Sequence, residues 1–299
     1  MLVTYPPLEE DLDLGNSSSL LICAWLAALT LVSNFTWGAA AMPQRVVSLN
    51  LCSDELLLML ADPQQVRSVT WLVKDPTLSW LADTAAAVPS NRGLAEEIVS
   101  IQPDLVLAGT FTTPATVALL NRLQVPILQL SMPSNVEEVQ AQILQVSRAL
   151  GHAARGRQVV ADMQARLKAM PPLPDGRKAP TAALYQPNGL TATEGSLVHD
   201  VLVRAGLVNL AASRSLPNYT RLSMEVLILD QPDVLVMNNY EEKMPSLAQE
   251  LLKHPVLRKA FAETATVIVP AQAWSCGTPN IVRAIELLRD AAVRVARSA

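Results

Sequence analysis

The residue types that most often do chemistry are scarce in this chain: three histidines, three cysteines, five tryptophans, four tyrosines and three phenylalanines among 299 residues. Capture of a free zinc or manganese ion needs several histidines and carboxylates gathered at one place. His152, His199 and His254 are scattered instead, the first two in predicted helices and the third just before Pro255. No Gly-x-Gly-x-x-Gly or phosphate loop is present, and no Gly-x-Ser-x-Gly nucleophile turn. Asp200 follows His199 directly, and helix neighbours point apart. No enzyme activity, no directly bound metal ion and no cofactor are therefore expected.

Cys52 and Cys276 each follow a predicted strand, one in each half of the chain. Three readings stay open: free thiols touching a metal centre, a disulfide between the halves, or small buried residues. An oxidising compartment favours pairing, but sequence alone does not bring two sulfurs within bonding reach. The third cysteine, Cys23, lies in the apolar N-terminal stretch.

The elements that position these residues are announced by a phrase that occurs twice. Glu96 leads, six residues on, into Gln102-Pro103-Asp104 and the apolar Leu105-Val106-Leu107; Glu225 leads at the same spacing into Gln231-Pro232-Asp233 and Val234-Leu235-Val236. A unit repeated 129 positions later points to two lobes of like construction. Two lobes enclose a cleft, where small molecules bind.

Strand and helix signals alternate along both halves, the pattern of α/β lobes with mainly parallel sheets. Residues 45–49, 66–72, 105–107 and 126–130 read as strands of the first lobe, and 181–185, 234–237 and 267–269 as strands of the second. Ser53 is expected to cap a helix with Asp54 and Glu55 in its first turn. Ser134 and Glu137 are expected to form a capping box. Helices are also expected over 247–252 and 279–296. One helix over 152–170, about 28 Å long at 1.5 Å per residue, is stopped by Pro171, Pro172 and Pro174. The predicted division is 1–41 as a signal peptide or membrane anchor, 42–150 as the N-terminal lobe, 151–174 as the connecting helix, and 175–299 as the C-terminal lobe.

Ligands of such sheets sit beyond the carboxyl ends of the strands. The loops there hold Asn50, Cys52, Trp71 and Phe111 in the first lobe and Tyr185, Tyr240, Trp274 and Cys276 in the second; Tyr219 lies in a loop ahead of the second glutamate. These nine are the candidate ligand-binding residues. Aromatics make up only 4% of the chain, and several fall on these loops. That suits a large, flat, partly apolar ligand. Arg92, Arg214 and Arg221 are the arginines available for an anionic one.

Residues 20–32 are apolar and lead to Ala39-Ala40-Ala41, an export-signal cleavage pattern. The segment ahead of them is acidic, which an export signal does not ask for, so a retained anchor is the alternative. The formal charge is −4; setting aside Glu9, Glu10, Asp11 and Asp13 leaves 23 acidic against 23 basic residues. Such neutrality gives no support to a nucleic-acid partner.

With the repeated phrase, the opening Arg45-Val46-Val47-Ser48-Leu49 and the single helix between halves in view, the chain resembles the substrate-binding proteins of ABC importers, nearest the group that carries cobalamin, ferric siderophores or haem. The resemblance spans 45–297. It implies two α/β lobes joined by one rigid helix, a metal chelate held between them, small lobe motions, a monomer in the periplasm, and an ABC permease dimer as partner. It also implies that Glu96 and Glu225 dock on that permease. Two like charges on a pseudo-symmetric molecule set orientation and register; the plainer alternative is that each only favours its helix N-terminus. The other class kept in view is a membrane-anchored ligand-sensing or partner-binding domain of the same fold.

Overall fold

The computed structural model describes residues 42–110, 112, 114–214, 219–238 and 255–298, apart from the side chains of Ser213 and Arg214. Phe111, Tyr240, His254, the expected helix at 247–252 and residues 1–41 lie outside the described residues.

The N-terminal lobe runs β1 (Val46–Ser48), α1 (Leu51–Leu60), β2 (Val66–Thr70), α2 (Ala82–Ala85), β3 (Ser90–Asn91), α3 (Ala95–Ile101), β4 (Leu105–Gly109), α4 (Pro114–Arg122), β5 (Ile127–Leu130) and α5 (Val136–Ala149). Then comes α6 (Ala153–Lys168), the helix found in the predicted connecting segment. The C-terminal lobe runs β6 (Thr181–Leu184), β7 (Leu190–Ala192), α7 (Leu197–Arg204), β8 (Val208–Asn209), β9 (Tyr219–Arg221), α8 (Met224–Asp230), β10 (Val234–Asn238), α9 (Pro255–Ala260), β11 (Ala265–Val269), α10 (Ala271–Trp274) and α11 (Ile281–Ser298).

The first sheet has the order β3-β2-β1-β4-β5 and the second β11-β10-β6-β8, all pairs parallel; β7 and β9 form a separate antiparallel ribbon. Read outward from each lobe's first strand, β2-β1-β4-β5 and β8-β6-β10-β11 are one arrangement used twice. The buried runs Val46-Val47 and Val106-Leu107-Ala108 fit strands covered on both faces.

The repeated phrase has a defined structural job. Both α3 and α8 are seven residues long and end on a glutamine in the left-handed region, Gln102 (φ 50°) and Gln231 (φ 44°). Proline then prevents the helix from continuing. The aspartate that follows binds the start of its lobe's first strand. Asp104 accepts hydrogen bonds from the amides of Gln44 (2.8 Å) and Arg45 (2.7 Å). Asp233 accepts from the amide and hydroxyl of Thr181, both at 2.7 Å.

Several local expectations shift. Asn50, not Ser53, caps α1: its side-chain oxygen accepts from the Ser53 amide at 2.9 Å, so the helix starts three residues earlier and carries Asp54 and Glu55 inward, where both are buried. The capping box at α5 moves by one residue. Asn135 accepts from the Glu138 amide, and Glu138 reaches back to the Ser134 amide at 2.7 Å.

Helix α6 is 16 residues long, about 24 Å. It turns back from α5 at Gly151, whose φ of +82° favours glycine. The lobes also meet through more than this helix. One apolar core runs from Val46, Leu57 and Leu107 through Val139 and Ile143 of α5, Val160 and Met163 of α6 and Ile285 and Leu288 of α11 to Leu184 and Val236. Among the described residues no helix is long and apolar enough to cross a membrane.

Candidate functional site

A cavity of about 310 Å³ lies at the carboxyl ends of β1, β4 and β5, closed from the other side by residues of the C-terminal lobe. The first turn of α1 gives Asn50, Leu51, Cys52 and Ser53; the end of β4 gives Gly109 and Thr110; the end of β5 gives Leu130, Ser131, Met132 and Pro133. Leu197, Tyr219, Trp274, Ser275 and Gly277 complete it from the C-terminal lobe. Among the described residues its wall holds no charged side chain and is mostly apolar. Its volume lies at the low end of small-molecule pockets.

The polar groups in the wall are largely committed to one another. Asn50 caps α1 with its oxygen and donates to the Thr112 hydroxyl at 3.2 Å; that hydroxyl also accepts from the Gly109 amide at 2.9 Å. A side chain on Gly109 would meet the Asn50 amide at 2.5 Å, so glycine is needed for the strand end to approach. Gln142 on α5 donates to the carbonyl of Ser131. Trp274 is almost fully buried, and its indole N–H donates to Asn238 Oδ1 at 2.9 Å, which fixes the ring plane. Tyr219 stays 42% exposed at the cavity edge.

Two buried acids stand behind Ser53. Asp54 accepts from the Thr70 amide at 3.0 Å and from the Thr70 hydroxyl; burial pushes its carboxyl up to about 6, against the pull of its Ser48 and Thr70 hydrogen bonds. Glu55 accepts from the hydroxyls of Ser79 (2.6 Å) and Thr278 (3.1 Å), the latter in the other lobe. Burial raises its pKa as well, and the charge of Asp54 adds to the effect.

Of the nine predicted ligand-binding residues, the structure brings Asn50, Cys52, Tyr219 and Trp274 to the cavity. Trp71 does not line it. The chain leaves β2 in a tight turn that aims Leu72 at the cavity and leaves Trp71 55% exposed. Tyr185 is packed in the C-terminal lobe with Leu222, Leu227 and Phe261, because β6 continues its inward face through this position. Cys276 is buried and bonded to Cys52, which settles the open cysteine question as an interlobe disulfide. Arg92 and Arg221 are exposed and do not line the cavity.

Ser131, Met132, Pro133 and Gln142 were not anticipated, yet their signals are present. The first three follow β5 as the rule for strand ends requires. Gln142 is a polar residue on the buried face of α5 marked by Val139, Ile143 and Val146. His152 contacts Gln65 (2.7 Å) and Asp62 (3.4 Å), His199 lies near Asn209, and neither lines the cavity. Among the described residues no cluster fit to hold a metal ion occurs. Glu96 and Glu225 are both exposed in the first turns of the equivalent helices α3 and α8. Bonds with its own amide and Ser223 hold the Glu225 carboxyl below its usual range.

Two like α/β lobes with a cavity between them, uncharged among its described residues, have the architecture of a solute-binding protein. The chain belongs to the family described as Periplasmic binding protein, which matches residues 46–271. This is a family of binding proteins, not of enzymes. The chain is 27% identical over 259 residues to a cobalamin-binding protein of Halobacterium salinarum, covering 83% of this chain and 69% of the relative. Its fold is similar to that of the periplasmic heme-binding protein RhuT of Roseiflexus sp. RS-1 in apo form (TM-score 0.69, 24% identity, 85% of this chain and 99% of the other). It is likewise similar to the periplasmic vitamin B12 binding protein BtuF of Vibrio cholerae (TM-score 0.62, 17% identity, 86% and 99%).

Proposed function

We propose that this protein is exported to the periplasm, captures a metal chelate between its lobes and hands it to an ABC importer. The candidate chelates are a corrinoid such as cobalamin, a ferric siderophore and haem. The observation that carries the reading is the cavity itself. It sits at the strand ends, is walled by Trp274, Tyr219, Met132 and Leu130, and has no charged side chain among its described residues. Such a wall recognises a flat or bulky ligand by apolar and aromatic contact. Among the described residues it offers no guanidinium to an anionic siderophore, which favours a corrinoid or similarly uncharged chelate. The boundaries of the lobes at 42–150 and 175–299, with the connecting helix between, belong to the same proposal, as do a monomeric state and docking through Glu96 and Glu225.

The test is an absorbance spectrum and native mass spectrum of protein isolated from its own periplasm. A corrin, haem or ferric-chelate band with the matching mass is expected. Titration with cyanocobalamin, haemin and a ferric hydroxamate follows, and replacing Trp274 or Tyr219 by alanine should weaken the chosen ligand about tenfold, the value of one good aromatic contact. A colourless protein that takes up none of the three overturns the reading.

A further inference from the structure

We infer that residues 272–278 form a pin that fixes the width of the cavity, and that the Cys52–Cys276 bond positions this wall. The cavity's role as ligand site is the reading given above; the pin itself stands on contacts alone.

The segment belongs to the C-terminal lobe, between β11 and α11, yet it is attached to the N-terminal lobe at both ends. Gln272 donates to the carbonyl of Pro76 at 2.7 Å. Cys276 is bonded to Cys52 in the first turn of α1. Gly277 passes so close to Pro133 that a Cβ would come within 2.3 Å of the ring. Thr278 donates to Glu55, which is itself 1% exposed and held on its other oxygen by Ser79. Cys52 and Glu55 are three apart on α1 and so share a face. The covalent bond and the carboxylate contact thus fasten one helix face to one strip of the opposite lobe.

The same strip supplies Trp274, Ser275 and Gly277 to the cavity. One wall is therefore made of C-terminal-lobe residues fastened to the N-terminal lobe on both sides of Trp274, whose indole bonds back to Asn238 of its own lobe. The lobes cannot part along this edge while the bond is closed, and a ligand must fit the width the pin sets. Opening is left to the edge near Met132 and Tyr219, both of which are exposed.

The experiment compares three states of the full chain: oxidised, Cys52→Ser/Cys276→Ser, and wild type reduced with a trialkyl phosphine. In that reduction the phosphine is oxidised to its oxide with oxygen from water, the S–S bond breaks, and two thiols form. Native-state hydrogen exchange is read first, without ligand. Amides of 272–278 and of the first turn of α1 should exchange roughly tenfold or more faster in both open states, within the usual range of site-to-site coupling. The dissociation rate of preloaded cyanocobalamin or haemin should rise by a similar factor. Equal protection in all three states overturns the pin, as do two titratable thiols in the untreated protein. Faster exchange with unchanged dissociation overturns its role in setting the width. If neither probe binds, the ligand reading fails while hydrogen exchange still decides the pin.

Discussion

Asp54 offers the most direct test of the energetics behind the cavity. Its side chain is fully buried, and its pKa is raised from 3.8 to about 6. The sign is unusual for a carboxylate, because the folded state holds the proton more tightly than the unfolded chain does. Its favourable contribution is therefore complete below pH 3.8, falls as pH rises through the interval to about 6, and is absent above it. Each pKa unit is worth about 1.4 kcal/mol, so ionising Asp54 inside the fold costs about 3 kcal/mol. Asp54→Asn removes the charge and keeps both bonds to Thr70: the amide oxygen accepts from the Thr70 N–H, and the amide N–H donates to the hydroxyl. The assay is urea unfolding of both proteins from about pH 4 to about pH 8. The variant should match wild type at the acid end and exceed it by about 3 kcal/mol at neutral pH. Taking the difference cancels the titration of distant groups, although Glu55 adds in the same direction because Asp54 raises its pKa. A difference that stays flat with pH would refute the account.

Gly277→Ala forces a methyl against Pro133 and Val139; thermal unfolding should show a loss of about 1–3 kcal/mol, the usual penalty for overpacking, and an unchanged melting temperature would deny the close approach. Asp104→Ala and Asp233→Ala each strip a charged acceptor from the start of a first strand, at about 1–3 kcal/mol by urea titration. Because they act in different lobes, their effects should add to within about 0.5 kcal/mol, and strong non-additivity would contradict the paired roles drawn here. Glu96→Ala/Glu225→Ala should abolish chelate-dependent growth while calorimetric affinity stays at the wild-type value; loss of affinity would place these residues in the binding machinery instead.

Much of the scaffold could be read from the chain because its cues are local. Pro103 and Pro232 stop the helix that precedes them, and unbroken apolar runs such as Leu105-Val106-Leu107 suit strands covered on both sides. Short polar-rich strands escaped notice: β3, β8 and the β7–β9 ribbon owe their pairing to neighbours distant in sequence, which no window of residues displays. The cavity was half legible. Strand ends pointed to Asn50, Cys52 and Trp274, but which of two adjacent residues faces inward depends on the turn that follows. That is why Leu72 and not Trp71 lines the cavity. The disulfide was undecidable from sequence, since its cysteines are 224 positions apart and only the fold brings their Cα atoms to 5.1 Å.

The doubled phrase separates into a part that folding uses and a part that it does not. Gln102 and Gln231 end the helices, the prolines block their extension, and Asp104 and Asp233 hold the first strands. Nothing in that scheme calls for an acid at the first helical turn. In the C-terminal lobe Glu225 does bond to its own helix start through Ser223, so helix preference alone accounts for it there. The N-terminal lobe differs. There the helix-start role falls to Glu97, which accepts from the Arg92 amide at 2.7 Å, while Glu96 has no hydrogen-bond partner among the described residues. An exposed glutamate with no hydrogen bond to its own helix start, at the position equivalent to Glu225 in a duplicated topology, would suit a partner with matched basic pockets. If Glu96→Ala alone leaves stability unchanged but halves uptake or worse, helix preference fails as an explanation. If it destabilises the lobe and leaves uptake intact, docking does.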